Sequence, residues 1–431
     1  MVWLYNPRVA IISGLRTPFA KAGTLYGQLD ALELGKIVVS ELLQRSGLDP
    51  ASIDEVIYGT VIPSVKAANI AREIVLGTNL PRTIPGFTVS RACASSNTAL
   101  TSGADMIARN HAHTVIVGGA ESLSTVPILF SKKFAETLLF ANKQKTMAGK
   151  LAAFNRLRLR DLAPDTPAIA ESSTGLTMGE SAEKMAKENG ISREAQDRFA
   201  YQSHTRAAKA TADGRFKDEV MSFAIPPSFE KVAEADNLIR ADTTIEALSQ
   251  LKPVFDRKWG TITAGNSSPL TDGASAIILM SEDKAKAMGI KPIGYLKSYA
   301  YAALDPFDQL LQGPAFAVPV ALDRAKLNLK DINVIEMHEA FAAQVLSNIQ
   351  WLGSKKFAEE KLGRSEAIGE VDSEKINRTG GSIAIGHPFG ATGARIVTTV
   401  CNELQRTGEQ YGLITVCAAG GQGSAIIVER E

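Results

Sequence analysis

Three pieces of this 431-residue chain occur twice, in the same order, once in each half. "LDPASIDEVIYGTVI" (48–62) is echoed by "LKDINVIEMHEAFAAQV" (329–345): a polar lead, then a Val-Ile strand. "SRACASSNTALTSGADMI" (90–107) is echoed by "GHPFGATGARIVTTVCNEL" (386–404), each a helix entered through small residues. "TVIVGGAES" (114–122) is echoed by "GLITVCAAGGQGSAIIV" (412–428), each a strand followed by a glycine turn. The identity between copies is low; the order of elements carries the match. The period is too long for a solenoid, so it points to a duplicated domain.

Within each half, short apolar runs alternate with helical patterns. "VAIISGLRTP" reads as a strand, and "LDALELGKIVVSELLQRSG" as a helix stopped by Gly47. Such alternation predicts a layered α/β architecture with mixed sheets. Length allows two or three domains. The halves are separated by an excursion, roughly 123–253, that reads as helix and loop and is long enough for a subdomain or lid.

The excursion opens on a basic stretch. Residues 131–161 carry eight Lys and Arg against Glu136 and Asp161. Phe130, Phe134 and Leu138 share one helical face, as do Met147, Leu151 and Phe154. A basic amphipathic segment suits the surface of a membrane, and equally a solvated face, an anionic substrate or a partner chain. Over the whole chain charge is nearly balanced, at +1, so no global basic field for nucleic acid exists. Three cysteines form no disulfide framework and fit a reducing compartment. The N-terminal stretch lacks the layout of a signal peptide, and no apolar run is long enough to span a membrane. The expectation is a cytoplasmic protein, with peripheral membrane contact through 128–161 as the reservation.

Chemistry concentrates at a few turns. Cys93 stands just ahead of a helix among alanines and serines. It reads either as a packing cysteine or as a nucleophile whose thiol pKa falls at the helix N-terminus. His111, His113 and His204 read as surface residues. His338 and His387 follow apolar strand-like runs, where sites in α/β proteins form. Cys417 ends "GLITVC" beside a glycine turn. Two thiols and two imidazoles could supply a nucleophile, its base and oxyanion donors. No metal set is expected: "HEAFA" lacks the second histidine of a zinc helix, and no cysteine pair has ligand spacing. A P-loop, a complete dinucleotide fingerprint and a nucleophile elbow are all missing.

At these residues the chain resembles the thiolases. "RACASS", "HEAFA", "GHPFGATGAR" and "CAAGGQG" match that family's motifs in order, as do "VAIISGLRTPFAK" and "ITAGNSSPLTDGA". The resemblance covers essentially the whole chain. It implies an α/β fold of two duplicated halves with mixed sheets packed on central helices, plus a helical loop domain. The expected boundaries are 1–122 with 254–283, then 123–253, then 284–431. It implies a 3-ketoacyl-CoA thiolase: Cys93 takes the acyl group, His387 activates it, and Cys417 is the acid/base. Ser268 resembles a pantetheine contact, and Met178 and Phe341 channel walls. His338 stands where most thiolases have asparagine, and Ala419 where many have glycine. An imidazole can hold the same oxyanion-hole water, and alanine keeps the backbone N–H if the dihedrals tolerate Cβ. His338 and the basic loop resemble the β-subunit of the trifunctional fatty-acid oxidation enzyme. That implies a homodimer, an α-subunit partner with hydratase and dehydrogenase activities, coenzyme A as substrate and no permanently bound cofactor. The alternatives are a condensing acetyl-CoA acetyltransferase, a decarboxylating ketosynthase, which the second cysteine argues against, and a non-catalytic acyl-CoA-binding protein of the same fold.

Overall fold

The computed structural model describes residues 7–165 and 170–431; Met1–Asn6, the head of the N-terminal stretch read for a leader, lies outside them. The apolar runs form nine strands used below: β1 Val9–Arg16, β2 Glu55–Gly59, β3 Gly86–Val89, β4 Thr114–Glu121, β5 Thr271–Ser281, β6 Gly294–Ala303, β7 Val334–Met337, β8 Tyr411–Ala418 and β9 Gln422–Glu429.

The duplication is visible in how they pair. In the first half the order is β3-β2-β4-β5-β1, with β3-β2 and β2-β4 parallel and the other pairs antiparallel. In the second half it is β7-β8-β9-β6, with β7-β8 parallel and the rest antiparallel. A single parallel bridge from Ile335 to Ile376 stands where the first half has β3. The two orders coincide, position for position. β1 pairs antiparallel with β6 over Val9–Ile11, joining the halves into one ten-stranded sheet that also takes in the short strand Ala20–Lys21.

Helices repeat too. α1 (Ala31–Ser46) starts on a capping box between Asp30 and Glu33 and stops at Gly47, whose φ of 65° only glycine adopts freely. α2 (Ile70–Leu76) and α3 (Ser95–Ala108) follow in the first half. After the excursion, α8 (Gly313–Ala325), α9 (Ala342–Leu352) and α10 (Thr392–Thr407) take the same places in the second. α3 and α10 are the central pair. Leu100, Ala104 and Ile107 of α3 pack with Ile396, Val397, Val400 and Leu404 of α10 in one buried core with strands from both halves. A helix buried on most sides cannot carry an ordinary polar face, which explains the runs of Ala, Gly, Ser and Thr at their starts.

The excursion folds as helices α4 (Lys132–Lys143), α5 (Met147–Ala153), α6 (Met178–Glu188) and α7 (Arg193–Ala212), with connecting loops. Four sequence readings need correction. The glycines of "TVIVGGAES" lie inside β4, not in a turn. A Cβ at Gly118 would meet Ser275 O at 2.2 Å, and one at Gly119 would meet Gly390 O at 1.9 Å. His204 is buried: α7 packs it inward, and its Nδ1 accepts from Arg240 N at 3.2 Å. "SIAI", ahead of His387, is a one-turn helix, Ser382–Ile385, not a strand. Phe130 belongs to a two-residue strand paired with Pro164 and Asp165, not to α4; it meets Phe134 edge-on at 5.1 Å.

Candidate active site

Cys93 is presented by a tight turn into α3. Ala92 has φ of 44°, a left-handed conformation that a non-glycine residue holds only under constraint. Ser95 supplies the constraint: its hydroxyl accepts from Arg91 N at 2.9 Å and donates to Ala92 O at 2.6 Å. The small residues that follow permit close approach. A Cβ at Gly59 would lie 2.8 Å from Ser95 Cβ, and one at Gly393 would lie 1.8 Å from Asn97 Oδ1.

His387 reaches the sulfur from the other half, with Nε2 3.2 Å from Cys93 Sγ. Its tautomer follows from its neighbours. Thr392 donates its hydroxyl hydrogen to Pro388 O at 3.0 Å, so it accepts at 2.6 Å from His387 Nδ1–H. Nε2 is thereby left with a lone pair facing the thiol. The segment 262–273 straps this turn in place: His387 N donates to Thr271 Oγ1, and Leu270 bridges to His387.

Burial, chiefly, pushes the Cys93 thiol up to about 12, and the buried carboxylate Glu121 adds to this. The backbone N–H groups of Cys93 itself and Ala419 oppose it. Burial first, then Arg395, lowers His387 to about 3. The helix N-terminus therefore does not lower this thiol as the sequence suggested, because desolvation outweighs the dipole. The resting pair is a neutral thiol against a neutral imidazole, an arrangement in which the imidazole can take the thiol's proton.

His338 follows β7 directly and is wholly buried, its ring centroid 4.0 Å from that of His387. Its Nδ1 lies 2.8 Å from Ser382 Oγ. Arg395 donates to the same hydroxyl at 3.1 Å and pairs with Glu336 at 2.8 Å. An arginine only donates, so Ser382 is free to give its hydrogen to His338 Nδ1. His338 then carries its hydrogen on Nε2, a buried atom without a hydrogen-bond partner among the described residues. Burial and the neighbouring His387 hold it well below the ordinary imidazole range. The two rings are in opposite tautomers: one presents a lone pair to the Cys93 thiol, the other carries its hydrogen on Nε2.

Cys417 is the penultimate residue of β8, buried, its thiol raised by burial and by Cys93. It packs in an apolar cluster with Phe341, Ala182, Met185 and Leu311, against which Met178 also rests. Phe255 and Phe341 meet edge-on at 6.3 Å. Ser268 is partly exposed on the strap, its N–H donating to Ala340 O at 2.9 Å. Ala419 opens the β8–β9 turn, whose Gly420 and Gly421 have φ of 81° and 67°. Glu171 from the excursion accepts from Gly420 N at 2.6 Å and braces that turn.

The fold thus brings Cys93, His338 and His387 together and sets Cys417 and the Ala419 N–H beside the same sulfur. Sequence reasoning missed Ser382, Thr392, Arg395, Glu121 and Glu171. Thr392 and Arg395 lay inside the quoted "GHPFGATGAR", where a lone arginine amid small and apolar residues was the available signal.

Known proteins carry the same plan. Residues 9–283 match the family model described as thiolase, N-terminal domain, and residues 290–430 the one described as thiolase, C-terminal domain. The chain is 54% identical to a protein of Yersinia enterocolitica named 3-ketoacyl-CoA thiolase, over 100% of this chain and 99% of that protein. It is 53% identical to one of the same name from Shewanella amazonensis, over 98% and 97%. Human mitochondrial 3-ketoacyl-CoA thiolase superposes with a TM-score of 0.83 at 31% identity, over 98% of this chain and 99% of that one. The Bacillus anthracis acetyl-CoA acetyltransferase gives 0.84 at 34%, over 98% of each. With both domains matched and relatives above half identity along its full length, the chain belongs to the thiolase family.

Proposed function

We infer that this chain is a 3-ketoacyl-CoA thiolase, an acyltransferase that cleaves its substrate with coenzyme A. The observation that carries the reading is the 3.2 Å contact between Cys93 Sγ and the lone pair of His387 Nε2. Cys93 attacks the C3 ketone while its proton passes to His387. The C2–C3 bond then breaks, leaving an acyl-enzyme thioester and a carbanion on the departing acetyl-CoA. Cys417 gives that carbanion its proton and recovers one from the incoming coenzyme A, whose sulfur displaces the acyl group. The product is an acyl-CoA two carbons shorter. The carbanion is the costly species. The Nε2–H of His338 and the N–H groups of Cys93 and Ala419 are the donors available to the developing oxyanions, and each such donor is worth about 100- to 1000-fold in rate.

Coenzyme A enters as substrate. Ser268 is the proposed contact for its pantetheine arm. The cluster around Met178 and Phe341, beside Cys417, is the proposed wall of the acyl channel. A second reading, condensation of two acetyl-CoA, is favoured by the similarity to the Bacillus anthracis acetyltransferase. Thiolysis rates on C4 against C12 or longer 3-ketoacyl-CoA separate the two. Loss of all thiolysis in purified protein would leave only the acyl-CoA-binding alternative.

The boundaries 1–122 with 254–283, 123–253 and 284–431 remain our division of the chain. Assembly and location belong to the same proposal: a cytoplasmic enzyme of fatty-acid β-oxidation, as a homodimer, with an α-subunit carrying hydratase and dehydrogenase activities. β3, which among the described residues pairs with β2 alone, offers an edge for the dimer. No helix among the described residues is long and apolar enough to cross a membrane. The hairpin of α4 and α5 exposes Leu139, Phe140, Met147 and Leu151 among its lysines and arginines. That supports peripheral contact with an anionic bilayer. Co-purification from source cells, with and without membranes, tests both points.

A further inference from the structure

Along the chain no residues have metal-ligand spacing, yet the fold assembles a ligand set. One donor atom each from Cys93, His338 and His387 lies within 4.8 Å of the other two. His338 Nε2 is buried and has no hydrogen-bond partner among the described residues. Both rings are held through Nδ1: His387 donates to Thr392, the outer-shell arrangement usual for metal-bound histidine, and His338 lies 2.8 Å from Ser382 Oγ, which can accept from it once the tautomer changes. One thiolate and two imidazoles are a borderline-soft set that favours Zn²⁺ over Mg²⁺ or Ca²⁺. A tetrahedral zinc with Zn–N of about 2.0–2.1 Å and Zn–S of about 2.3 Å sets its ligand atoms about 3.3–3.6 Å apart. His387 Nε2 and Cys93 Sγ already stand at 3.2 Å.

We propose that Cys93, His338 and His387 form an inhibitory Zn²⁺ site, in which the ion occupies the nucleophile and a water takes the fourth position. On binding, the Cys93 sulfur coordinates as thiolate and its proton leaves to solvent. His387 coordinates through the Nε2 lone pair it already presents. His338 coordinates through Nε2 after its hydrogen shifts to Nδ1, where Ser382 Oγ accepts it on the lone pair not used by Arg395. No electrons are transferred. Arg395, held 3.1 Å from the Ser382 hydroxyl that contacts His338, keeps a cation close to the site and opposes a dication. The site is therefore suited to reversible, chelator-sensitive capture, not to a resident ion.

The test uses full-length protein stripped of metal, with Zn²⁺ competed against a chromophoric chelator and Co²⁺ as a spectroscopic probe. Expected are stoichiometric Zn²⁺ uptake, a thiolate-to-Co²⁺ charge-transfer band with tetrahedral d–d bands, and thiolysis lost with Zn²⁺ and restored by EDTA. Cys93→Ala should abolish the charge-transfer band and weaken Zn²⁺ by roughly 100-fold or more, and His338→Asn by about tenfold, as loss of one ligand from a three-ligand set requires. His338→Gln is run in parallel in case the asparagine variant folds poorly. Equal Zn²⁺ affinity in all variants, or a Co²⁺ spectrum without a sulfur band, overturns the proposal. Metal uptake is read without turnover, so its failure leaves the acyl-transfer reading standing, and failed thiolysis leaves the metal site standing.

Discussion

The two halves build the same mouth twice: one gathers a thiol and two imidazoles, and the other is closed by backbone. Cys93 stands two residues before α3; Gly390 stands two before α10. In the paired strands, Gly59 lies as far along β2 from its first paired residue, Glu55, as His338 lies from Val334. Ala120 and Cys417 correspond in the same way along β4 and β8. Each turn crosses to the strand ends of the other half. The Cys93 turn meets His338 and Cys417. The Gly390 turn meets Gly59 and Ala120, so closely that a Cβ at Gly390 would stand 2.8 Å from Gly59 O and 2.7 Å from Ala120 O. What would be a cavity is filled by backbone. Glu121 seals it, accepting at 3.0 Å from Val61 N, Ile62 N and Gly390 N and from the Thr60 hydroxyl at 3.3 Å. The duplicated fold supplies positions; side-chain volume decides which mouth holds a substrate and which holds the molecule together.

That contrast predicts a clean division between activity and stability. In the open mouth, Cys93→Ser should cost about 1000-fold or more in thiolysis, since a hydroxyl is a far weaker nucleophile against the same neutral base. His387→Ala should cost a similar factor, because the proton loses its acceptor. Thermal unfolding should barely move in either. Near wild-type turnover by Cys93→Ser would end the nucleophile assignment. In the closed mouth the order reverses. Gly119→Ala drives a methyl to within 1.9 Å of Gly390 O, where no side chain can yield. It should lower stability by about 3 kcal/mol or prevent folding, as overpacking against rigid backbone does. A stable, active Gly119→Ala protein would mean that the closed mouth has slack the packing does not allow.

Glu121→Gln probes the seal with a smaller change. Glutamine keeps one acceptor oxygen and turns an NH₂ toward backbone donors, so about 1–3 kcal/mol of stability should be lost. Burial, the largest influence, raises Glu121 from 4.5 to about 7 against the pull of its donors. A carboxyl raised on folding binds its proton more tightly in the native state. Its contribution to stability is therefore fully present below about 4.5 and declines as pH rises toward 7. Denaturant midpoints measured from pH 4.5 to 7.5 should fall less steeply in Glu121→Gln than in the parent. A steeper fall would show that other groups dominate this range.

The same contrast explains what could be read along the chain. Cys93, His387 and Cys417 each stand at a turn marked by glycine, alanine or proline, so local sequence exposed them. β7 and the β8–β9 hairpin were legible because buried strands leave continuous apolar runs. The glycines of β4 look like a turn in sequence because their reasons, Ser275 for Gly118 and Gly390 for Gly119, lie far away along the chain. His204 was placed on the surface because the charged composition of α7 hides its inward face; only tertiary packing reveals it. Glu121, Ser382 and Arg395 act across the seam between distant segments, and no local pattern encodes a cross-chain hydrogen bond. The thiol pKa was read in the wrong direction for a related reason: a helix start is visible in sequence, and desolvation is not.

The smallest expected effect concerns His338, where the open mouth departs from the asparagine usual in the family. If His338 serves by offering Nε2–H, asparagine should keep thiolysis within about tenfold of the parent, because its carboxamide also donates. Ser382→Ala should lower kcat by roughly tenfold with KM little changed, since without the serine hydrogen on Nδ1 the donor tautomer is no longer enforced. The two changes should not add. In a His338→Asn background there is no tautomer left for Ser382 to set, so Ser382→Ala should then cost nothing further in kcat. A double-mutant cycle with a coupling of about 1.4 kcal/mol, the equivalent of that tenfold loss, is the signature of the linkage. Additive losses would instead mean that Ser382 acts on the site through Arg395 or through packing, and that the two imidazoles are not set in opposite tautomers by their hydroxyl neighbours.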